Sequence, residues 1–434
     1  MPRPILSIRT RSRSSRTGLV LACCALLGTS SAQAGDWPQI LGPNRTGIAS
    51  NERLAEKWPA TGPRVAWDRP MGTGFAGVAV SGGRVLVFDR DGERERLTAV
   101  SASTGKTLWQ ASFPATFVPA YVNDNGPRCV PTVIGNRVVV FGATGGLRCL
   151  EAGSGKIVWS HDTMALFNSK RAFKGEPPEG YFGKGSSPVV ANGLVIVNVG
   201  GAEKNAGVVA FGLADGKVAW KSGDVRASYS SPVLAKIGGQ SQVIVAARLN
   251  VISLDPRTGK ELFRFPFGRS GPTVTGASPV VVGDQVFITA SYRFGAVMTK
   301  VVGGRLSETW RSDDILSSQY TTAIVDDGRL YGIHGRQDVG GAALRCVDAS
   351  TGKVVWEETG FGYATLIAAD GKLLIQKTNG TLVLARLSSK GYHELATAKV
   401  LTGTARALPA LAGGRFYVHN SRTLKCLDVG RVAR

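Results

Sequence analysis

One thirteen-residue pattern recurs through this chain and limits the folds that the chain can adopt. Clear copies read LTAVSASTGKTLW at 97–109, LRCLEAGSGKIVW at 147–159, VVAFGLADGKVAW at 208–220 and LRCVDASTGKVVW at 344–356. Each copy is an apolar run, a turn containing Gly-Lys, and a second run that ends in a large apolar residue. A repeat this short cannot bury a hydrophobic face alone, so successive copies must pack against one another.

The large residue that ends each copy gives the number of repeats. It is Phe263 in one copy, Leu395 in a weaker copy, and tryptophan in the others: Trp67, Trp109, Trp159, Trp220, Trp310 and Trp356. Most successive end residues lie about 40 to 50 residues apart, a period typical of propeller blades. The chain is therefore predicted to contain eight units.

A second pattern precedes each copy and supplies two more strands. It reads SPVVANGLVIV at 187–197 and SPVVVGDQVFI at 278–288, an apolar run on either side of a Gly, Asn or Asp turn. That arrangement is a β-hairpin signal. Hairpin and repeat together predict an all-β, eight-bladed β-propeller of four-stranded antiparallel blades. Val-rich runs of about five residues lack the 3.6-residue period of a helical repeat, which excludes that class.

The two ends of the repeat region complement each other. The last hairpin, 407–420, is followed by a third strand at 423–429 but no outer strand, whereas PRVAW at 63–67 is an outer strand without partners before it. We therefore expect residues 63–69 to complete the eighth blade and close the ring. The propeller would then span 63–430, after an N-terminal extension at 35–62 and before a tail at 431–434.

The first 34 residues have the features of an export signal. Residues 1–17 contain five arginines and no acid, 18–28 are apolar, and Ala32-Gln33-Ala34 suits signal peptidase. We expect cleavage after Ala34 and a periplasmic or cell-envelope location. The apolar run is too short for a permanent membrane span, and no other span is expected. A lipid anchor at Cys23 is the alternative.

The charge of the chain bears on its partners. The formal net charge is +21, and removing the five arginines of the signal leaves 21 − 5 = +16. Such a balance favours an envelope protein or another anionic partner, and we expect no nucleic acid for an exported chain. The Lys and Arg residues are scattered through turns and not clustered, so a solvated surface is the favoured explanation. We expect a monomer.

Cysteine and histidine give no sign of a redox or metal site. Cys149, Cys346 and Cys426 occupy one slot of the repeat, which holds Ala or Ser in other copies. With Cys129 they are predicted to be separate, buried, free thiols. The four histidines lie far apart in sequence, and no metal-ligand spacing is present.

The repeat [AC]-x-[DES]-x-x-[TS]-G-K-x-x-W resembles the tryptophan-docking repeat of the PQQ-like propeller superfamily, over residues 36–430. The segment Asp36-Trp37-Pro38-Gln39 also resembles the start of BamB-like envelope repeat proteins. The resemblance implies that the six repeat tryptophans dock structurally between blades. It leaves function open, because propellers host unrelated functions.

Two function classes compete under this resemblance. The favoured class is a non-catalytic binding or scaffold module of the cell envelope, similar to BamB, for which no cofactor is expected. The alternative is an oxidoreductase similar to quinoprotein alcohol dehydrogenases, which would hold PQQ with calcium. The resemblance implies that such enzymes are longer than this chain and hold the quinone against a disulfide between adjacent cysteines. The adjacent pair here, Cys23-Cys24, lies in the predicted signal.

Aligning the blades suggests a binding site. The position three residues before the proline of the SPVV motif would lie at the mouth of the central channel, and the residue after it is always small. The large side chains at that position are Phe75, Arg128, Tyr229, Tyr320, Tyr363 and Arg406. Such a ring would suit an anionic or planar ligand. Alternatively, the ring merely fills the centre of a wide propeller.

Two long segments between repeats should lie on the same face. They are 113–128 and 162–184, and the second carries aromatic and basic residues and a Glu-Pro-Pro-Glu stretch at 176–179. Long loops of this kind are more often functional or disordered than neutral. The stretch is predicted to stiffen a lid over the mouth.

Overall fold

The computed structural model describes residues 1, 35–121, 124–169, 177, 179–271, 273–303 and 305–431. The predicted signal peptide therefore lies outside the described residues, apart from Met1. The described residues from 35 onward belong to one compact unit, and their strands form eight separate four-stranded antiparallel sheets. The predicted eight-bladed propeller is confirmed.

The first four blades follow one another along the chain, each running from an inner to an outer strand. Blade 1 contains β2 (Ala79–Ser81), β3 (Arg84–Asp91), β4 (Arg94–Ser101) and β5 (Thr107–Pro114). Blade 2 contains β6 (Thr132–Ile134), β7 (Arg137–Phe141), β8 (Gly146–Glu151) and β9 (Ile157–Asp162). Blade 3 contains β10 (Val189–Ala191), β11 (Leu194–Val197), β12 (Val208–Gly212) and β13 (Val218–Ser222). Blade 4 contains β14 (Val233–Ile237), β15 (Gln240–Ala246), β16 (Asn250–Leu254) and β17 (Glu261–Pro266).

The next three blades repeat this order, and the eighth departs from it. Blade 5 contains β18 (Val280–Val282), β19 (Gln285–Thr289), β20 (Ala296–Val302) and β21 (Arg305–Ser312). Blade 6 contains β22 (Ile324–Asp326), β23 (Arg329–Arg336), β24 (Gly340–Asp348) and β25 (Val354–Glu358). Blade 7 contains β26 (Ala364–Ala369), β27 (Lys372–Lys377), β28 (Thr381–Arg386) and β29 (Glu394–Lys399). Blade 8 contains β30 (Ala410–Ala412), β31 (Arg415–His419), β32 (Thr423–Asp428) and, as its outer strand, β1 (Arg64–Pro70).

The eighth blade closes the ring. Strand β1 pairs antiparallel with β32, and the register places Trp67 opposite Cys426. The first strand of the propeller and its last thus share one sheet, which removes the exposed edge that an open ring would leave. The predicted closure by an N-terminal strand is confirmed.

The six repeat tryptophans join neighbouring blades. Each indole N–H donates to a backbone carbonyl in the next blade, as from Trp67 to Ala102 at 2.9 Å and from Trp109 to Ala152 at 3.1 Å. Trp159, Trp220, Trp310 and Trp356 make the same bond. Five of these rings, all but that of Trp356, pack on the repeat glycine of the next blade. A Cβ on Gly155, for example, would lie 2.4 Å from the Trp109 ring, so no larger residue fits.

The strand register shows where the repeat position shared by Cys, Ala and Ser lies, and it corrects the predicted end residue of one copy. Cys149, Cys346 and Cys426 each lie opposite the tryptophan of their own blade, and all four cysteines outside the predicted signal are buried and free, as predicted. In blade 7, however, Ala396 and not Leu395 lies opposite the equivalent residue, Leu384, because the connection between β28 and β29 is longer than in the clear copies.

The N-terminal extension is packed into the propeller. Trp37 exchanges backbone hydrogen bonds with Val80 of blade 1, and Ala49 donates to Ala368 of blade 7. Between them, Arg45 is buried and donates to the carbonyls of Ser187, Pro188 and Pro232 in blades 3 and 4. The extension therefore crosses the central channel.

Helix is scarce in the described part of the chain. Its α-helix α1 (Thr163–Phe167) is capped by the Asp162 carboxylate, and a 3₁₀ turn covers Ala202–Lys204. Within these ranges no helix is long and apolar enough to cross a bilayer.

Candidate functional site

A pocket of about 530 Å³ lies at the end of the channel where the inner strands begin. Five of the six predicted ring residues line it: Phe75, Arg128, Tyr229, Tyr320 and Arg406. They come from different blades and converge because each occupies the same position just before its inner strand. We call this cavity the mouth pocket.

A ring of small residues lies directly behind these side chains. The residue after each ring position is fully or almost fully buried: Ala76, Cys129, Ser186, Ser230, Ala277, Thr321, Ala364 and Ala407. Small residues let eight inner strands approach closely around one axis. Five of the six larger neighbouring side chains line the mouth pocket.

The floor of the mouth pocket is formed in part by the N-terminal extension. Ile40 lines the pocket, and it belongs to the segment that carries Arg45 into the channel. Burial lowers the pKa of the Arg45 guanidinium, and the carbonyls that it meets supply acceptors in place of water. Sequence analysis assigned the extension no part in the site.

Arg128 is held by a buried carboxylate. Its guanidinium lies 2.9 Å from Asp124, whose other oxygen accepts from the Gly74 N–H and the Ser421 hydroxyl. Burial lowers the pKa of Arg128, and Asp124 counteracts that effect. Arg128 is thus a structural part of the pocket wall.

Arg406 is less engaged. Its Nε donates to the Gln337 side chain at 2.6 Å, and its guanidinium carbon lies 5.2 Å from the centre of the Phe75 ring. Arg406 forms no ion pair with any carboxylate among the described residues. Its terminal nitrogens are the cationic donors most available to an anion in the mouth pocket.

The sixth predicted ring residue, Tyr363, does not line the mouth pocket. It is buried behind Tyr320, with ring centres 4.5 Å apart, and its hydroxyl accepts from the backbone N–H groups of Tyr320 and Thr321. These contacts keep the Tyr363 side chain within the wall of the pocket, where it holds the backbone of Tyr320 in place. Placing Tyr363 in the ring was wrong.

Both long segments reach the mouth pocket. Tyr121 from the first and Phe182 from the second line it, and Phe182 packs edge-on against Tyr229 at 5.4 Å. Lys184 anchors the second segment by donating to the carbonyls of Ser169 and Val199. Asn123, Lys170, Arg171, Phe173, Lys174, Glu176 and Pro178 lie outside the described residues, so the lid stays a prediction.

Sequence analysis missed one side of the wall. It is formed by the connection between β23 and β24 and by nearby residues: Tyr292, Gln319, Arg336, Gln337 and Asp338. Arg336 covers the Tyr292 ring at 4.2 Å and is ion-paired with Asp338, which lowers the pKa of that carboxyl. The sequence signal that could have revealed this side is the polar run Arg336-Gln337-Asp338, which lies on the same face of the propeller as the predicted ring residues.

The carboxylates near the mouth pocket do not fit a calcium-bound quinone. Calcium takes six to eight oxygen ligands with carboxylates among them, yet Asp124 and Asp338 are each ion-paired with an arginine. Among the described residues, no three His, Cys, Asp or Glu side chains converge as a metal site would require. The donor set therefore does not match PQQ with calcium.

Comparison with known proteins identifies the family. Residues 56–173 and 126–358 match the family described as outer membrane protein assembly factor BamB. The chain belongs to this family of PQQ-like propellers. The resemblance drawn from the docking repeat is thus confirmed.

Individual relatives of this BamB-family chain fall into two groups. BamB from Yersinia pestis is 25% identical over 320 residues, covering 70% of each protein. The quinone-dependent alcohol dehydrogenase subunit from Komagataeibacter europaeus is 37% identical over 139 residues, which covers 29% of this chain. The match spans only 16% of that longer subunit.

Solved structures agree on the fold. BamB from Moraxella catarrhalis superposes with a TM-score of 0.59 at 14% identity, over 86% of this chain and 99% of that one. Quinohemoprotein alcohol dehydrogenase ADHIIG from Pseudomonas putida HK5 gives a TM-score of 0.59 at 12% identity, over 93% and 81%. At these identities the likeness concerns the fold alone.

Proposed function

We propose that this protein is a non-catalytic binding module of the cell envelope, and that the mouth pocket receives an anionic, planar group. The group belongs either to an envelope protein or to a small ligand. The observation that carries the proposal is Arg406, a cation that faces an aromatic pocket without a carboxylate partner among the described residues. An incoming anion would complete its hydrogen bonds.

The shape of the mouth pocket supports this function. Its volume of about 530 Å³ falls within the usual range for small-molecule sites. Phe75, Tyr229 and Tyr320 line it with aromatic rings, and Arg406 keeps the wall positive on the side of Phe75. A flat, negatively charged group matches both properties.

The rim of the mouth pocket supports contact with a protein. Val118, from the loop that carries Tyr121, has 79% of its surface exposed, and Val339, next to Asp338, has 67%. Tyr121, which lines the pocket, also has 61% of its surface exposed, so the aromatic surface of the pocket extends outward beside these valines. An envelope location rests on the predicted export signal and on the relatives named BamB.

Photo-cross-linking in cells tests partner binding. A photoreactive residue at Val118 or Val339 should capture one and the same envelope protein, whereas one at Leu108, exposed on outer strand β5, should not. Identical cross-linking from all three positions, or none from the rim positions, would contradict a partner at the mouth pocket.

Ligand binding is tested with benzene-1,3,5-tricarboxylate, a planar anion. Isothermal titration should detect saturable binding to the purified protein and about tenfold or greater weakening in Arg406→Ala, the effect of one lost charge-assisted hydrogen bond. Failure of both this titration and the cross-linking would refute the proposed function.

The second candidate is an oxidoreductase, favoured by the 37% identity to a quinone-dependent dehydrogenase subunit. The two functions are separated by adding PQQ and Ca²⁺ to the purified protein with an alcohol and a reducible dye. A binding module leaves the dye oxidised. Dye reduction that depends on PQQ would replace our proposal with the enzyme.

A further inference from the structure

A second cavity, of about 870 Å³, lies where the two ends of the propeller meet. The end of the extension, the first residue of β1, the turn between β30 and β31, and the end of β32 line it. These segments lie at the opposite end of the strands from the mouth pocket, which surrounds the starts of the inner strands. We call it the closure cavity.

The indole of Trp58 lines the closure cavity and has an unused hydrogen-bond donor. Trp58 is only 9% exposed, and its buried Nε1 meets no acceptor. The six docking tryptophans, by contrast, each donate to a carbonyl of the next blade. A buried N–H without a partner is unfavourable, so an oxygen atom that gained access to Nε1 from the closure cavity would be stabilised there.

The lining of the closure cavity is positively charged. Its carboxylates are Glu52 and Asp428, and its five cations are Arg53, Lys57, Arg64, Arg415 and Arg431. Arg53 and Arg431 also pair with carboxylates outside the lining, Asp370 and Glu56 respectively. Glu52 already accepts from the N–H groups of Gly413 and Gly414, and Asp428 is paired with Arg64 and Arg415. Lys57 forms no ion pair with any of the described residues and is exposed.

The same cavity has an apolar side. Ala55, Pro59 and Pro63 line it beside the Trp58 ring. An inorganic ion would leave this apolar surface exposed to water. The wall therefore offers one region for an apolar body and another for an anionic group.

We propose that the closure cavity binds a small organic anion, a carboxylate or phosphate group on an apolar body. An oxygen of the anion accepts from Trp58 Nε1, Lys57 supplies the counter-charge, and the apolar body packs against the two prolines. This site is separate from the mouth pocket, and the proposal does not depend on the function proposed for that pocket.

Binding at this place would be linked to ring closure. Pro63 and Arg64 begin the closing strand, and Gly430 and Arg431 follow its partner strand, so one ligand contacts both ends of the ring. A ligand that binds only the closed form stabilises that form by mass action. Occupancy should therefore raise the melting temperature.

Phenyl phosphate and benzoate are the probes, because each joins an apolar ring to one of the two anionic groups. In a two-dimensional ¹H–¹⁵N spectrum, the indole signal of Trp58, assigned from its loss in Trp58→Phe, should shift saturably with at least one probe. The indole signals of Trp109, Trp159, Trp220, Trp310 and Trp356 should stay in place, whereas Trp67 is no control because its acceptor carbonyl at Ala102 also binds the lining residue Arg415. The tighter probe identifies whether phosphate or carboxylate is the recognised group.

Charge and apolar contact are tested separately. Lys57→Glu should weaken binding about tenfold or more, whereas Lys260→Glu, at an exposed lysine remote from the closure cavity, should not change it. Inorganic phosphate should bind more weakly than phenyl phosphate. The proposal is overturned if the Trp58 signal does not move, if sodium chloride at equal ionic strength moves it equally, or if Lys57→Glu binds normally.

Discussion

Arg406 and Phe75 come from opposite ends of the chain, yet the guanidinium carbon of Arg406 lies 5.2 Å from the centre of the Phe75 ring. Arg128 approaches the same ring at 5.0 Å. Phe75 thus brings two cations together at the mouth pocket. They differ in one respect, because Arg128 is neutralised by Asp124 and Arg406 has no carboxylate partner among the described residues.

This difference predicts that two alanine substitutions affect different properties, one ligand binding and the other stability. Arg406→Ala should leave urea denaturation nearly unchanged and weaken binding of an anion in the mouth pocket. Arg128→Ala should lower the free energy of unfolding by about 3–5 kcal/mol, because it leaves the buried Asp124 carboxylate without its ion pair. Equal stabilities of the two variants would show that the Arg128–Asp124 pair contributes little.

Ring closure predicts a large effect at Trp67. Trp67→Ala should cost about 3–5 kcal/mol of unfolding free energy, as for other large buried aromatic residues. Trp67→Phe should cost less, because it keeps a ring against Gly105 and loses only the hydrogen bond to Ala102. Removing residues 35–69 should open the ring and cause aggregation. A Trp67→Ala variant that unfolds like the parent would contradict closure by β1.

Arg45 is predicted to hold the extension in the channel. Arg45→Met should destabilise the protein by about 2–4 kcal/mol, since three carbonyls lose a charged donor, and should expose residues 36–49 to limited proteolysis. The matched control is Arg53→Met, because Arg53 pairs with Asp370 at the surface and 78% of its side chain is exposed. Similar protease resistance in Arg45→Met and the parent would refute this role.

Glu95 predicts a pH dependence of stability. Burial raises the pKa of this carboxyl, against the opposing effects of the Ala143 N–H and of Arg148, Arg90 and Arg128. One of its oxygens, Oε2, has no hydrogen-bond partner. Because the pKa of Glu95 is higher in the folded protein than in the unfolded chain, its contribution to stability is most favourable at pH values below the unfolded pKa. That contribution declines as pH rises through the folded pKa.

Glu95→Gln should therefore raise the melting temperature at pH 7 relative to the parent, and this gain should vanish near pH 4. Thermal melts at both pH values measure the difference. Glu93→Gln, at a neighbouring exposed carboxylate, is the control and should change neither melt. A Glu95→Gln variant less stable than the parent at pH 7 would show that the arginines outweigh burial.

The part of the site that sequence analysis found is the part that repeats. Phe75, Arg128, Tyr229, Tyr320 and Arg406 share one position in successive blades, so aligning the repeats was enough to group them. Gln337 and Asp338 were missed because the connection that carries them has no counterpart in the other blades' motifs. Tyr363 occupies the aligned position but turns inward, since its hydroxyl meets two backbone N–H groups.

The sequence alone determined the blades, their number, the docking tryptophans and the closing strand. These features depend on alternating apolar residues and glycine turns, which are local and recur with a fixed period. Only the tertiary structure decided that the extension crosses the channel and that Trp58 lies in the closure cavity. Arg45 meets carbonyls 142 to 187 positions away along the chain. Such contacts follow from the arrangement of blades around the axis, and no periodic pattern in the sequence records them.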